Sequence, residues 1–237
     1  MPPAALPLAP RSAERRGMPR GSRLGDHTNR SRAIGGDRRL GLAAKRVFDV
    51  VVATVVLVAA VPLLLLIALF VCIDSPGAVL YRQRRVGLDG RVFVILKFRS
   101  MVVGADALRD LLQPANEADG PLFKLENDPR VTGVGRWLRK LSLDELPQLL
   151  NVVAGDMSLV GPRPALPSEV ATYDARTAGR LSAKPGITGP WQVSGRHSSS
   201  FEDYVSLDLD YVENRSFGGD LVLLACTVPV VLQRTGA

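Results

Sequence analysis

The stretch VVVATVVLVAAVPLLLLIALFVCI, residues 50–73, decides the fold because it contains no charged side chain. As a helix rising about 1.5 Å per residue it would be roughly 36 Å long, enough to cross the apolar core of a bilayer. Pro62 stands near the centre, where a proline removes one helical hydrogen bond and clashes with the preceding turn. We therefore predict an apolar membrane helix that is kinked at Pro62.

Both flanks of this stretch are basic. Lys45 and Arg46 come before it, and six Lys or Arg residues follow it between positions 82 and 99. Positive charge marks the cytoplasmic side of a membrane segment, so both ends are predicted to be cytoplasmic. A helix broken at Pro62 would then enter one leaflet and return. A single transmembrane span and a buried core helix are the two alternatives.

The positive charge of the chain is concentrated at its N-terminus. The net charge is +7, yet residues 1–46 hold 11 Lys or Arg against 3 Asp or Glu, whereas the rest holds 19 against 20. Residues 1–43 lack aromatic side chains and are rich in Pro, Arg, Gly and Ser, so they are predicted to be a disordered basic tail. Such a tail suits anionic lipid or nucleic acid. The apolar stretch that follows favours lipid, and no nucleic-acid partner is expected.

The remaining pattern predicts an α+β class that is mostly helical, with a small sheet. Strands at 78–81 and 91–96 flank a turn at 87–90. Segment 184–190 is predicted to be too rich in Pro and Gly for regular structure. Helices are expected at 105–112, 134–140, 146–153, 166–177, 201–211 and 220–232, and the second of them is predicted to turn Trp137 and Leu138 inward.

Two features of that outline concern burial. The last helix, 220–232, is predicted either to pack in the core or to lie at the membrane interface. Cys72 and Cys226 lie in apolar runs and are predicted to be buried and unpaired, with neither a disulfide framework nor the spacing of a metal site.

Two adjacent acids stand in the segment SLDELP, residues 142–147. Ser142 and Glu145 have the spacing of a capping box, although Pro147 fits better if Asp144 is the cap. In either case Asp144 is predicted to lie at a helix N-terminus, where the helix dipole favours a carboxylate and also attracts phosphate. Capping alone and catalysis are both compatible with this spacing.

Basic residues elsewhere could bind the same phosphate. Arg163 lies between two prolines, which would hold its guanidinium as a bidentate clamp, and the alternative is a solvated loop arginine. Arg139 lies one turn before the acid pair and could reach the same phosphate, and the alternative is an ordinary charge on a helix face. Lys184 and Arg196 bracket a stiff loop. Asp208 is predicted to be structural or to line the site.

Five motifs follow one another along the chain, namely KRVFD (45–49), KFRSM (97–101), LSLDELPQ (141–148), GDMSLVGPRP (155–164) and KPGITG (184–189). In this order they resemble the bacterial sugar transferases, the monotopic polyprenyl-phosphate phosphoglycosyl transferases. The resemblance implies a domain at 44–237, with a re-entrant helix at about 46–73 and a catalytic part at about 74–237. It also implies amphipathic interfacial helices and a catalytic part facing the cytoplasm.

The resemblance further implies a reaction. A sugar 1-phosphate moves from a nucleotide sugar, usually a UDP-sugar, to undecaprenyl phosphate in the inner leaflet, giving undecaprenyl-diphospho-sugar and UMP. This step starts the assembly of exopolysaccharide, capsule or the O-antigen of lipopolysaccharide. Asp144, which matches the family aspartate, would attack the β-phosphate and form a covalent phospho-sugar, with Glu145 as its partner. Mg²⁺ is the implied cofactor, with Asp144 as a ligand.

The implied substrate-binding and phosphate-binding residues are Lys97, Arg99, Arg139, Arg163, Lys184, Arg196 and Asp208. Association as a homodimer is also kept open. Two positions depart from the family pattern: Val61 precedes Pro62 where members often have Ser, and Pro190 stands where a bulkier apolar residue is common. The competing functions are a non-catalytic membrane adaptor, a nucleic-acid binder and a glycosyltransferase that releases UDP.

Overall fold

The computed structural model describes residues 26–195 and 200–232, with side chains described from residue 41 onward except at 195–199. The chain divides into two compact units, Met1–Leu40 and Gly41–Ala237. The described part of the first unit is helical. The second unit contains the remaining helices and both small sheets, which confirms the mostly helical α+β class.

The first element is a helix, α1, which runs from Asp26 to Asp74. It continues through Pro62 as one helix, and the kink at that residue stays a prediction. It also begins inside the segment predicted to be disordered, since extending an existing helix requires no new nucleus. Residues 1–25 of that segment lie outside the described part of the chain. Among the described residues only Gly41–Asp74 is long and apolar enough to cross a membrane.

An antiparallel hairpin follows α1. Strand β1 covers Leu80–Val86 and strand β2 covers Val92–Phe98, with Leu80 opposite Phe98 at one end of the register. The turn between them contains a short 3₁₀ helix, Leu88–Gly90, in which Asp89 adopts a left-handed backbone. The hairpin was predicted, but its first strand begins and ends later than the sequence pattern indicated.

The middle of the chain is built from short helices: α2 (Arg109–Leu112), a 3₁₀ turn (Gln113–Ala115), α3 (Gly133–Lys140), a second 3₁₀ turn (Leu143–Glu145) and α4 (Gln148–Ala154). Thr132 caps α3, because its hydroxyl accepts a hydrogen bond from the Gly135 amide at 3.0 Å. A Cβ atom at Gly135 would overlap the carbonyl oxygen of Ser100, so only glycine allows this close approach. Gly155 ends α4 with a left-handed backbone.

The last third begins with β3 (Ser158–Val160), α5 (Pro167–Val170) and α6 (Ala175–Ala178), and it continues with a 3₁₀ turn (Gly179–Ser182), β4 (Gly186–Thr188), a π-helical turn (Trp191–Gly195), α7 (Phe201–Asn214) and α8 (Phe217–Leu232). Strands β3 and β4 pair in parallel, with Ser158 opposite Gly186. The expectation that 184–190 has no regular structure was wrong. Glycines on the paired segments explain the strand, since a Cβ atom at Gly161 or Gly186 would overlap the facing backbone.

Three apolar clusters form the core of the described residues, and the smallest of them contains Leu122, Tyr204 and Val205. The first core cluster contains Ala53, Ile95, Leu149, Val152, Met157, Leu159, Val160 and Tyr211. The second core cluster contains Ile67, Val71, Phe98 and Leu138. Helix α1 contributes to the first cluster near its middle and to the second near its end, and β2 contributes Ile95 to one and Phe98 to the other. Leu146 packs against the first and second clusters, so the segment around it lies where they meet.

Three burial predictions can be compared with this core. Leu138 is fully buried, as predicted, but Trp137 is 51% exposed. Cys72 and Cys226 are unpaired, as predicted, yet both are exposed rather than buried. Each cysteine lies on an apolar helix, α1 or α8, that turns many large apolar side chains outward. Apolar character in these helices therefore does not imply burial within the protein.

Candidate active site

The two adjacent acids lie on the 3₁₀ turn between α3 and α4, and we refer to residues 142–147 as the acid turn. Ser142 reverses the chain with a left-handed backbone (φ 54°) and makes no capping hydrogen bond through its side chain. The capping box predicted at Ser142 was therefore wrong. Leu143 and Leu146, on either side of the acids, pack against the second core cluster and hold the turn in place.

Asp144 is the buried member of the pair, with 7% of its surface exposed. Burial raises the pKa of its carboxyl group, the charge of Lys97 lowers that pKa, and the charge of Glu145 raises it. The sequence predicted the opposite direction, from a helix dipole. That prediction fails because α4 begins only at Gln148 and the cost of removing the carboxylate from water dominates.

Glu145 is paired with Lys97, whose Nζ atom lies 2.6 Å from Glu145 Oε1. The side chain of Asn151 links α4, the helix that follows the acid turn, to β2, the strand that carries Lys97. Its Oδ1 accepts a hydrogen bond from the Leu96 amide at 3.1 Å, and its Nδ2 donates to the Val94 carbonyl at 2.7 Å. Asn151 thus fastens β2 to α4 and sets Lys97 opposite the acid turn.

Asn151 was missed by sequence reasoning. The available signal was a single amide side chain in the otherwise apolar run LLNVV, residues 149–153. A buried amide in such a run has to satisfy both its donor and its acceptor, and here an open strand backbone does so.

Two further predicted cations act on the same pair. Arg139, at the end of α3, lowers the pKa of Asp144 through its charge. Arg163 is partly buried, with its guanidinium carbon 5.8 Å from the centre of the Trp191 ring. Burial opposes the charge of Arg163, but its anionic and aromatic neighbours, Glu145 among them, leave its pKa above the ordinary value. The structure therefore brings Lys97, Arg139 and Arg163 within electrostatic range of the acid turn.

Asp208 lies deeper and forms an ion pair that the sequence did not suggest. Arg180 Nε and Nη2 donate to Asp208 Oδ2 at 2.9 and 2.6 Å, and both side chains are almost completely buried. Arg180 also donates to the hydroxyls of Tyr173 and Tyr204 and to the carbonyl of Arg163. Asp208 thereby supports the loop that carries Arg163. No motif in the sequence distinguished Arg180 from a surface arginine.

Arg99 has contacts of a structural kind. Its guanidinium donates to the carbonyls of Pro76 at 2.7 Å, Ser75 at 2.6 Å and Val71 at 3.2 Å. These carbonyls belong to the end of α1 and the residues just after it, which have no partners within the helix. Arg99 therefore caps the apolar helix, and its predicted contact with phosphate is untested.

Lys184 lies near Gly155 and Arg46, at the C-terminal end of α4, whereas the acid turn precedes the first residue of that helix. Partial burial and the charge of Arg46 lower the pKa of Lys184. Arg46 itself donates to the carbonyls of Val152 and Val153 at 2.6 and 3.0 Å, where α4 ends. Arg196 lies outside the described residues.

A buried polar network anchors the part of α1 that precedes the apolar stretch. Lys45 Nζ lies 2.6 Å from Asp220 Oδ2 on α8, and Asp49 accepts a hydrogen bond from the Ser158 hydroxyl at 2.7 Å. The Tyr211 hydroxyl donates to Asp220 at 2.8 Å. These contacts give the first motif, residues 45–49, a structural function that the sequence alone did not indicate.

The donor set was compared with the implied Mg²⁺. The described residues contain no group of three or more His, Cys, Asp or Glu side chains arranged to hold a metal ion. Mg²⁺ is commonly held by one or two carboxylates together with substrate phosphates, which supply the remaining oxygens. The adjacent carboxylates of Asp144 and Glu145 fit a metal that arrives with a diphosphate.

The sequence of this chain is similar to those of known proteins. Residues 40–234 match the family described as bacterial sugar transferase. The exopolysaccharide production protein ExoY of Rhizobium meliloti (strain 1021) is 45% identical over 207 residues, which cover 86% of this chain and 92% of that protein. The undecaprenyl-phosphate galactose phosphotransferase of Salmonella typhimurium (strain LT2) is 46% identical over 81% of this chain and 41% of its own length.

A third relative is the UDP-glucose:undecaprenyl-phosphate glucose-1-phosphate transferase of Caulobacter vibrioides, 43% identical over 81% of this chain and 71% of its own length. The chain thus spans nearly all of the rhizobial relative and less than half of the Salmonella protein. The family match covers the apolar helix, the acid turn and the loop of Arg163. The chain belongs to the bacterial sugar transferase family and is an enzyme of the phosphoglycosyl transferase type.

Proposed function

We propose that this enzyme transfers a sugar 1-phosphate from a UDP-sugar to undecaprenyl phosphate and releases UMP, the first step in assembling a bacterial surface polysaccharide. The printed names of the Salmonella and Caulobacter relatives supply the acceptor and the class of donor. The observation that carries the proposal is the position of Asp144, a buried carboxylate with basic neighbours, on a turn packed against the end of the apolar helix.

The first half-reaction begins at the Asp144 carboxylate. One of its oxygens attacks the β-phosphorus of the UDP-sugar, and the bond from that phosphorus to the bridging oxygen breaks. UMP leaves with the bonding electron pair, and the sugar phosphate stays on Asp144 as an acyl phosphate. Burial raises the pKa of Asp144 and also removes solvent from its oxygens, while the charges of Lys97 and Arg139 act to lower that pKa.

The second half-reaction returns Asp144 to its starting state. A phosphate oxygen of undecaprenyl phosphate attacks the same phosphorus, the bond to the Asp144 oxygen breaks, and undecaprenyl-diphospho-sugar is released. Glu145 forms an ion pair with Lys97 in the absence of substrate, and a substrate phosphate would then replace Glu145 as the partner of Lys97. The carbonyl of Arg163 accepts a hydrogen bond from Arg180, which is paired with Asp208, and the guanidinium of Arg163 would bind the diphosphate in both half-reactions.

When bound, Mg²⁺ would offset the charge of the diphosphate and of the leaving UMP. Asp144 and Glu145 would hold it together with the phosphate oxygens. All other steps are assigned to side chains of this chain.

We also propose that both ends of the apolar stretch lie on the cytoplasmic side, as in a re-entrant helix. Ala53 of α1 packs in the first core cluster, while Ile67 and Val71 pack in the second, and both clusters belong to one compact unit. Between them, most side chains around Pro62 point outward. A membrane-spanning helix would carry its two ends to opposite sides of the bilayer, whereas here both ends contact the same protein body.

The activity is tested with membranes containing the full chain, a panel of radiolabelled UDP-sugars, undecaprenyl phosphate and Mg²⁺. We expect a labelled lipid product and stoichiometric UMP, with product lost when EDTA removes the metal. Release of UDP would identify a glycosyltransferase instead. Absence of turnover with every donor in the panel would favour the non-catalytic adaptor.

The topology is tested with cysteines introduced one at a time near Ser22 and at Asp89 in a variant lacking Cys72 and Cys226. An impermeant maleimide should label both positions only after the cell membrane is opened. Labelling of the two positions from opposite sides would establish a transmembrane span. Sedimentation of the purified protein in detergent would test for the homodimer that the sequence analysis left open.

A further inference from the structure

An open groove lies between the end of α1 and the start of α3. Its volume is about 520 Å³, and its lining is mostly apolar: Phe70, Asp74, Gly133, Val134 and Trp137. This volume falls within the range of about 300–1,000 Å³ typical of small-molecule sites. Phe70 and Trp137 are 44% and 51% exposed, so two large aromatic side chains are available to a ligand.

The charged residue in this lining has a local function. Asp74 Oδ2 accepts a hydrogen bond from the Val134 amide at 3.3 Å, at the N-terminus of α3. The carboxylate therefore stabilises the first turn of α3. What remains open in the groove is an apolar surface of two aromatic rings and a valine.

Helix α3 lines the groove with Gly133, Val134 and Trp137, and it ends at Lys140, with only Leu141 between it and the acid turn. Val134 packs against the second core cluster, and so do Leu143 and Leu146 from the acid turn. The cluster itself contains Ile67 and Val71 from the apolar helix. A ligand lying in the groove would therefore contact α1 through Phe70 and would contact α3, the helix that leads to the acid turn, through Val134 and Trp137.

Helix α3 presents cations beside this apolar surface. Arg136, Arg139 and Lys140 occur within eight residues that also carry Trp137, and the charge of Arg139 acts on Asp144. Val134 and Trp137 share one helix face at a spacing of three residues. Apolar rings with cations toward the acid turn complement an amphiphile that has a hydrocarbon chain and a phosphate head.

We propose that this groove binds the isoprenoid chain of the polyprenyl phosphate acceptor next to its phosphate, so that the phosphate is aimed at the phosphorus carried by Asp144. This proposal rests on the proposed function and adds the acceptor subsite to it. The groove would act in the second half-reaction only, since the water-soluble donor has no chain to place there.

The test compares Trp137→Ala with Trp137→Phe in full-length protein, and both with Leu111→Gln as a matched control. Leu111 is exposed and lies outside the groove. Two quantities are measured: UMP release in the absence of acceptor, and the KM and kcat for undecaprenyl phosphate. We expect Trp137→Ala to raise the acceptor KM about tenfold, the factor that corresponds to losing about 1.4 kcal/mol of apolar contact.

The other measurements should not change. UMP release without acceptor should match the unmodified enzyme in all three variants, Trp137→Phe should retain most of the acceptor affinity, and Leu111→Gln should leave the KM unchanged. With a polyprenyl phosphate of only two isoprene units, the difference between Trp137→Ala and the unmodified enzyme should shrink. An unchanged acceptor KM in Trp137→Ala would overturn the groove proposal while UMP release by the unmodified enzyme still supported the proposed function.

A photoreactive diazirine on the isoprenoid chain distinguishes this ligand from an ordinary lipid. Labelled peptides should contain residue 70 or residues 133–137, and unlabelled undecaprenyl phosphate should compete. A diazirine-bearing phospholipid that labels the same peptides, without competition from undecaprenyl phosphate, would assign the groove to membrane lipid and overturn the proposal. Loss of UMP release in the unmodified enzyme would instead refute the proposed function itself.

Discussion

Asp144 and Asp208 are both buried aspartates, yet their surroundings differ, and the difference suits Asp144 to catalysis and Asp208 to a structural function. Burial raises the pKa of each carboxyl group, and a basic neighbour lowers it. Asp208 is locked in a direct ion pair with Arg180 at 2.6 Å, whereas no ion pair joins Asp144 to another described residue. A nucleophile requires free lone pairs, whereas the Oδ2 atom of Asp208 is occupied by two hydrogen bonds from Arg180.

The largest expected effect is on chemistry. Asp144→Asn should lower product formation by at least about 10³-fold, because the amide cannot form the acyl phosphate. The free energy of unfolding of Asp144→Asn at neutral pH should not fall. Because the pKa of Asp144 is raised in the folded state, ionising this carboxyl group costs stability at any pH above its pKa in the unfolded chain. Asparagine does not ionise, so the substitution removes that cost. UMP release and thermal unfolding measured on the same preparation test both statements. Turnover near that of the unmodified enzyme would remove Asp144 from the mechanism.

Asp208→Ala should have the second largest effect, mainly on stability. Removing one partner of a buried ion pair leaves Arg180 uncompensated and costs about 3–5 kcal/mol. Glu213→Ala, an exposed acid on the same helix, is the matched control and should leave the free energy of unfolding nearly unchanged. Denaturant titration in detergent measures the difference. Equal unfolding curves for the two variants would contradict the anchoring of Arg163 by this pair.

A smaller effect is expected at Asn151, which links the acid turn to the strand of Lys97. Asn151→Ala removes two hydrogen bonds and leaves the Leu96 amide and the Val94 carbonyl without that partner, at a cost of about 1–3 kcal/mol. Asn214→Ala, which removes an exposed hydrogen bond to Asp210, is the control. Because Asn151 acts by position, its loss should lower kcat even at temperatures where the variant is fully folded. A change in stability with kcat intact would limit Asn151 to a structural function.

The smallest effect is a shift of the pH dependence. The acidic limb of the rate profile should follow ionisation of Asp144, whose pKa lies above its ordinary value. Lys97→Met removes a charge that lowers this pKa, so the limb should move to higher pH, and Glu145→Gln removes a charge that raises it, so the limb should move to lower pH. Initial rates across the acidic range measure both shifts. Shifts of the same sign in the two variants would contradict this electrostatic account.

The elements with strong local signals were predicted well. The apolar stretch, the hairpin, α3, α4, α7 and α8 all follow from periodicity and turn residues, and they occur close to the expected positions. Predictions failed where the partner of a segment is distant in sequence. Strand β4 forms only because β3 lies beside it, and the helix expected at 166–177 is divided into α5 and α6.

The residues of the candidate site likewise fall into those that the sequence predicted and those that it did not. The motifs and their order were sufficient to select the acid pair, Lys97, Arg139 and Arg163, since these residues lie in distinctive local sequences. Arg180 and Asn151 could not be found, because their functions depend on hydrogen bonds to segments 28 and 55–57 residues away. The predicted contact of Arg99 with phosphate stays a prediction, and the structure adds contacts of its guanidinium with the carbonyls of Pro76 and Ser75, just after α1.

By itself the sequence determined that this is a membrane-associated bacterial sugar transferase with two adjacent acids, because hydrophobicity and motif order are local properties of a chain. Only the tertiary structure decided that burial raises the pKa of Asp144, where the sequence had predicted that a helix dipole lowers it, and that Asp208 supports Arg163 through Arg180. It also decided that both ends of the apolar helix contact one protein body. Burial and electrostatic environment are set by residues remote in sequence, so they exist only once the chain has folded.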